Sequence, residues 1–163
     1  MNGKLRNMAT IYIKNNDKVL LLDRIGSMVV SRSWCGIGGH FEKCELNDAK
    51  AAVLREMNEE IGIAENDLDN LCFKYIALRF VKDELRINYY FFADLKNNAN
   101  INYDCDEGIL DWVNFADLNN RKMPYTAQII MKHYIEIGMN TNDFYTVSVD
   151  DENVTIVPMR IHN

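Results

Sequence analysis

Two short apolar runs open the chain. Residues 8–13, MATIYI, and 18–22, KVLLL, are β-branched, aromatic or aliphatic with NND between them, and they predict two strands joined as a hairpin. Two longer β-rich runs at residues 71–81 and 84–95 are split by the polar KDE and predict an antiparallel pair. A shorter strand is predicted at 109–115, ILDWVNF, and a closing hairpin at 144–158 around DDEN. The period becomes helical between 48 and 62. Val53, Leu54, Met57 and Ile61 fall on one side, Asp48 is a plausible N-cap, and Gly62 stands where a left-handed C-terminal cap belongs. A second helical pattern, PYTAQIIMKHYIEIG, opens at Pro124 and closes at Gly138, with Ile129, Ile130 and Tyr134 as its packing side and His133 as a surface or hydrogen-bonded residue. The order implies a mixed α/β (α+β) chain with mostly antiparallel strands and few helices. Before the first helix a polar loop, DRIGSMVVSRSW, leads into CGIGGHFEK, where Gly36, Gly38 and Gly39 mark backbone that bends tightly or approaches something closely.

Composition narrows the class. With 163 residues, 48% hydrophobic and 26% charged, the chain is expected to form one domain over residues 1–163 that buries its own core. Apolar runs such as YYFFA are too short to span a bilayer, and the N-terminal stretch turns polar before any signal-like segment develops, so no membrane partner and a cytoplasmic location are expected. Cys35, Cys44, Cys72 and Cys105 contain no C-x-x-C pair and read as reduced thiols. Cys35, His40 and Cys44 lack the fourth ligand of a structural zinc site. A net charge of -6 and a pI near 5.0 argue against a protein that coats a nucleic acid polymer. That charge is uneven: residues 1–34 hold six basic and two acidic side chains, +4, which leaves -10 for the rest. A basic segment facing an acidic helix suits a phosphorylated small molecule held through metal ions.

The acidic helix is the sharpest chemical signal. In VLREMNEEIGI, residues 53–63, Glu56, Glu59 and Glu60 project onto one arc of about 100°. Only Ala49 and Ala52 share that arc, with short side chains expected to leave open space above the carboxylates. A solvated helix face ordinarily interleaves Lys with Glu. Here Arg55 is the sole base between residues 51 and 70, against six acids. Clustered carboxylates beside a glycine-rich loop point instead to a hard divalent cation, because Mg²⁺ and Mn²⁺ prefer oxygen ligands.

GGHFEKCE at 38–45 followed by REMNEEIGI at 55–63 resembles the Nudix box, G-x5-E-x7-R-E-U-x-E-E-x-G-U, where U is a bulky aliphatic residue. Gly39 and Glu45 match its first half; Arg55, Glu56, Met57, Glu59, Glu60, Gly62 and Ile63 match its second. Nine residues, 46–54, replace the pattern's seven, which places an insertion near LND and leaves the role of Glu45 open to a neighbour such as Glu42. DEGILDWVNFADL resembles the family's acidic-then-Trp-Val segment, so the likeness covers most of the chain. The resemblance implies a Nudix α/β/α sandwich around a mixed, largely antiparallel sheet.

It also implies hydrolysis of a nucleoside diphosphate linked to another group, with Mg²⁺ or Mn²⁺ as cofactor. Matched motif positions make Glu59 and Glu60 the main metal ligands, and Glu56 either a ligand or the acceptor of the attacking water's proton. Gly38 would lend a backbone carbonyl to metal, and Arg55 would orient a carboxylate or simply pair with Glu59. Glu107, with Asp106 as fallback, is the candidate for a later acid. Arg24, Trp34 and Gly39 are candidates for the substrate side: Arg24 for phosphate, Trp34 for either base stacking or core packing, while Trp112 reads as core. The expected reaction is that of a MutT-like enzyme on a nucleoside triphosphate such as 8-oxo-dGTP, by a monomer or homodimer. The alternatives are ADP-ribose, a nucleotide sugar, a dinucleotide polyphosphate, or a nucleotide sensor without turnover.

Overall fold

The computed structural model describes residues 3–24, 32–150 and 153–160. Among them, eight strands form one mixed sheet: β1 (Lys4–Asn15), β2 (Lys18–Arg24), β3 (Ser33–Cys35), β4 (Leu68–Val81), β5 (Glu84–Leu95), β6 (Gly108–Asn114), β7 (Phe144–Val149) and β8 (Val154–Met159). Helix α1 (Ala49–Ile61) packs on one face and α2 (Tyr125–Glu136) on the other. The spatial order is β3, β2, β1, β5, β4, β7, β8, with β6 pairing to β2. β1 with β5 and β4 with β7 run parallel, and the remaining pairs are antiparallel.

β1 and β2 are nearly continuous apolar runs because both faces of the central sheet are covered. Alternation sends Tyr12, Val19 and Leu21 to the core beneath α2, and Ile11, Ile13, Leu20 and Leu22 to the core beneath α1. Val53, Met57 and Ile61 of α1 are fully buried against the second core, each contributing roughly 1.5–3 kcal/mol. Leu54 is only half-buried at its edge.

The predicted hairpin is real but brief. β1 pairs with β2 at two positions, Lys14 with Val19 and Asn15 with Lys18, across a turn where Asn16 takes the left-handed conformation that Asn tolerates. Beyond the turn β2 leaves to pair with β6 along its length, and residues 37–41 take the vacated edge of β1. Ile11 N donates to Ile37 O at 2.8 Å, Ala9 N to Gly39 O at 3.0 Å, and Phe41 N to Asn7 O at 3.1 Å. This exchange fixes the glycine-rich segment against the sheet.

β4 starts three residues before the predicted run, because a bulge between Asp69 and Cys72, with Asn70 at φ 54°, lets polar residues enter the ladder. The closing hairpin forms as predicted, Asp150 N donating to Asn153 O at 2.9 Å; the two central residues of DDEN lie outside the described residues. His133 is hydrogen-bonded, its Nδ1 lying 2.9 Å from the Tyr75 hydroxyl.

Candidate active site

The site is assembled where α1 lies over the glycine segment. Asp48 caps the helix, its Oδ1 accepting from Ala51 N at 2.9 Å, and Gly62 ends it at φ 69°, donating to Asn58 O at 3.0 Å. These two caps set the rotation of α1, and with it the direction of each glutamate.

The three box carboxylates are not equivalent. Glu59 faces solvent with 60% of its side chain exposed, Glu56 is mostly covered, and Glu60 is buried. The expected open space above Ala52 is absent: Ala52 is fully buried, and the line Ala52, Glu56, Glu60 turns inward against the glycine segment. The reason is close approach. A Cβ at Gly39 would stand 2.5–2.6 Å from the carboxylate of Glu56, and one at Gly38 would overlap the carbonyl oxygen of Ala9. Gly38 N donates to Glu60 Oε2 at 3.3 Å. Gly38 therefore lets the segment lie against the backbone of β1, and Gly39 lets the Glu56 carboxylate approach that segment directly.

Arg55 organises the outer half. Its Nε and Nη2 grip Glu45 Oε1 and Oε2 at 2.7 and 3.0 Å, Nη1 bonds Glu56 at 3.0 Å and Glu59 at 2.9 Å, and Nη2 also reaches His40 O at 3.1 Å. Arg55 thus contacts three carboxylates at once, the i,i+4 pair with Glu59 among them. Glu45, 7% exposed, accepts in addition from Glu42 N at 2.8 Å, whereas Glu42 itself is exposed. Across the insertion the chain turns through Leu46 and Asn47, and Asp48 N donates back to Glu45 O at 2.8 Å. Hydrogen bonding to Arg55 holds the Glu45 carboxyl below the usual carboxylate range, and the same bond raises the Arg55 guanidinium further.

The inner half joins Glu60, Arg24 and Glu107. Pairing of β2 with β6 sets Arg24 opposite Gly108, so Glu107 arrives beside the end of β2. Arg24 Nη2 bonds Glu107 and lies 3.8 Å from Glu60 Oε1, an oxygen buried without a hydrogen-bond partner. Burial first, and the charge of Glu107 second, push the Glu60 carboxyl up to about 7. Asp106 sits in the same turn, exposed. Trp34 packs on the core beneath α2 with the guanidinium of Arg121 4.5 Å above its ring, which favours packing over base stacking. Trp112 is half-buried and donates from Nε1 to the Tyr103 hydroxyl at 3.0 Å.

Asp23 was not foreseen. It is 5% exposed and held by Arg32 Nε at 2.9 Å. Only the alternation of β2, which points a charged residue at the α2-side face, could have marked it.

Among the described residues no three His, Cys, Asp or Glu side chains converge as a ready metal cluster. The arginines explain this, since Arg55 binds Glu56 and Glu59 while Arg24 lies against Glu60 and Glu107. The donor set still fits a hard divalent cation: every candidate ligand is oxygen, and Glu60 Oε1 is buried without a hydrogen bond, with only the 3.8 Å ion pair to Arg24 beside it.

A sequence comparison with curated proteins gives no match. Solved structures share the fold at low identity. A MutT protein from Bacillus halodurans superposes with a TM-score of 0.71 at 20% identity, covering 93% of this chain and 97% of that one. The E. coli ORF135 protein gives 0.67 at 16%, covering 86% and 96%. The NUDIX domain of Shewanella oneidensis NrtR, complexed with ADP ribose, gives 0.60 at 16%, covering 83% and 88%. The family model described as NUDIX domain matches residues 4–134, spanning both the glycine segment and the acidic helix. With box, fold and family model in agreement, the chain belongs to the NUDIX family and is a NUDIX pyrophosphohydrolase.

Proposed function

We propose that the protein is a Mg²⁺-dependent nucleoside triphosphate pyrophosphohydrolase that releases a nucleoside monophosphate and pyrophosphate, with an oxidised purine such as 8-oxo-dGTP as the substrate to test first. The observation that carries the metal-dependent part is the buried Oε1 of Glu60, which accepts no hydrogen bond, beside Glu107 and the glycine segment. The likeness in fold to MutT proteins supports the triphosphate part.

Glu59, Glu60, the carbonyl of Gly38 and Glu107 would hold the cation. A bound Mg²⁺ or Mn²⁺ supplies charge neutralisation on the pyrophosphate and orientation for the attacking water. The protein's own groups do the rest. Glu56, its carboxylate set by Gly39 on one side and Arg55 Nη1 on the other, accepts the proton of the attacking water. Arg24 offers its planar fork to a phosphate. Arg55 and Glu45 keep Glu56 and Glu59 from drifting, which is the positioning that phosphoryl chemistry chiefly needs.

The test is incubation of purified protein with Mg²⁺ and a nucleotide panel, with products resolved by ion chromatography. Monophosphate and pyrophosphate from a triphosphate bear the reading out, and absence of any phosphate or pyrophosphate release refutes it. The second reading, hydrolysis or binding of ADP-ribose, rests on the bound ligand of the NrtR domain; AMP and ribose phosphate among the products would favour it, and binding without products would favour a sensor.

A further inference from the structure

Arg24 ends β2 with 41% of its side chain exposed, and its guanidinium enters the space between Glu60 and Glu107. Both contacts are to carboxylates, one from the buried side of α1 and one from the turn before β6. With both carboxylates ionised, they and the guanidinium carry a local charge of -1. Without the guanidinium the pair carries -2, the charge that a divalent ion matches. A divalent ion and a guanidinium sharing this space would repel each other strongly at such range, so only one can hold it.

Resting on the metal-dependent reading above, we infer that Arg24 is an exchangeable counter-ion: it occupies the cation position between Glu60 and Glu107 and gives way when a divalent ion binds there. Displaced from the carboxylates, the guanidinium becomes available to the phosphates of the substrate. Arg24 thereby links the loading of the cation to the readiness of the phosphate site.

The inference predicts the direction in which metal affinity moves. Metal-free wild-type, Arg24→Gln and Arg24→Lys proteins are titrated with Mn²⁺, and unbound Mn²⁺ is followed by electron paramagnetic resonance. Arg24→Gln binds Mn²⁺ about tenfold more tightly than wild type, and Arg24→Lys falls between them. In a Glu107→Gln background the gain shrinks, because one of the two competing contacts is gone. Equal affinity in wild type and Arg24→Gln overturns the exchange while leaving the metal site standing. Weaker binding by Arg24→Gln also overturns it, since that is the behaviour of a guanidinium that merely positions Glu107. No Mn²⁺ binding by any of the proteins overturns the metal-dependent reading and the exchange with it.

Discussion

Gly39→Ala separates the chemistry of the site from the stability of the fold. The added Cβ would lie 2.5 Å from Glu56 Oε1 and 2.6 Å from its Cδ and Oε2, where ordinary contact begins near 3.4 Å, so the carboxylate must retreat by 3.4 - 2.5, or 0.9 Å. The yielding atoms are the far end of a flexible side chain, and the backbone stays in place. The structural loss is confined to the 3.0 Å bond from Arg55 Nη1, about 0.5–1.5 kcal/mol, or roughly 2–5 °C in Tm. A reacting group displaced by nearly 1 Å costs on the order of 10²-fold in rate. Gly62→Ala is the control with the opposite signature. Its φ of 69° penalises any side chain by about 1–2 kcal/mol, while the new Cβ meets only Asn102 Cβ at an ordinary 3.6 Å, well outside the site. The assay pairs kcat for pyrophosphate release with thermal melting. Gly39→Ala is expected to keep most of its Tm and lose kcat, and Gly62→Ala to lose Tm and keep kcat. A Gly39→Ala protein within threefold of wild-type kcat would show that the position of Glu56 does not govern the reaction.

Three further outcomes follow from the same geometry. Glu59→Gln removes turnover, a loss of about 10²–10³-fold, yet shifts Tm by only about 1–2 °C, because this exposed side chain contributes one i,i+4 pair; wild-type kcat in the variant would remove Glu59 from the metal set. Glu45, with its carboxyl held low by Arg55, stabilises the fold fully above the ordinary glutamate range near 4.3, and that contribution is lost as pH falls through the depressed value; in Glu45→Gln the acid limb of Tm below about pH 4.3 should flatten. Burial holds the His133 imidazole below its ordinary value near 6.5, so stability should decline as pH drops below about 6.5 toward that lower value; an unchanged slope in His133→Gln would refute the assignment.

The elements were legible because local chemistry and tertiary demand agree. KVLLL is a strand buried on both faces, and DAKAAVLREMNEEIG carries its own start and stop signals in Asp48 and Gly62. What the runs did not disclose is the partner of each edge. MATIYI and KVLLL look like one hairpin, but β1 spends nearly all its length beside β5, eighty residues away in sequence, and yields its other edge to the glycine segment. Strand pairing over such separations is decided by the assembled cores, and alternation alone carries no record of it.

Helical projection placed Glu56, Glu59 and Glu60 on one arc, but an arc does not reveal what faces it. Burial of Glu60 and exposure of Glu59 follow from where β1 and the glycine segment sit, so the same acidic face holds one carboxyl pushed up toward neutrality and one that meets water while paired with Arg55. The insertion shows the converse. Two extra residues break the spacing of the box in sequence, yet Asp48 restarts the count: Arg55 is the seventh residue after the cap, about 10 Å along the helix, and the same helix places Glu56, Glu59 and Glu60 whatever precedes it. All the insertion can change is the direction from which Glu45 arrives. The turn closed by Asp48 N on Glu45 O, together with the two-point grip of Arg55, brings that carboxylate to the arginine despite the added length.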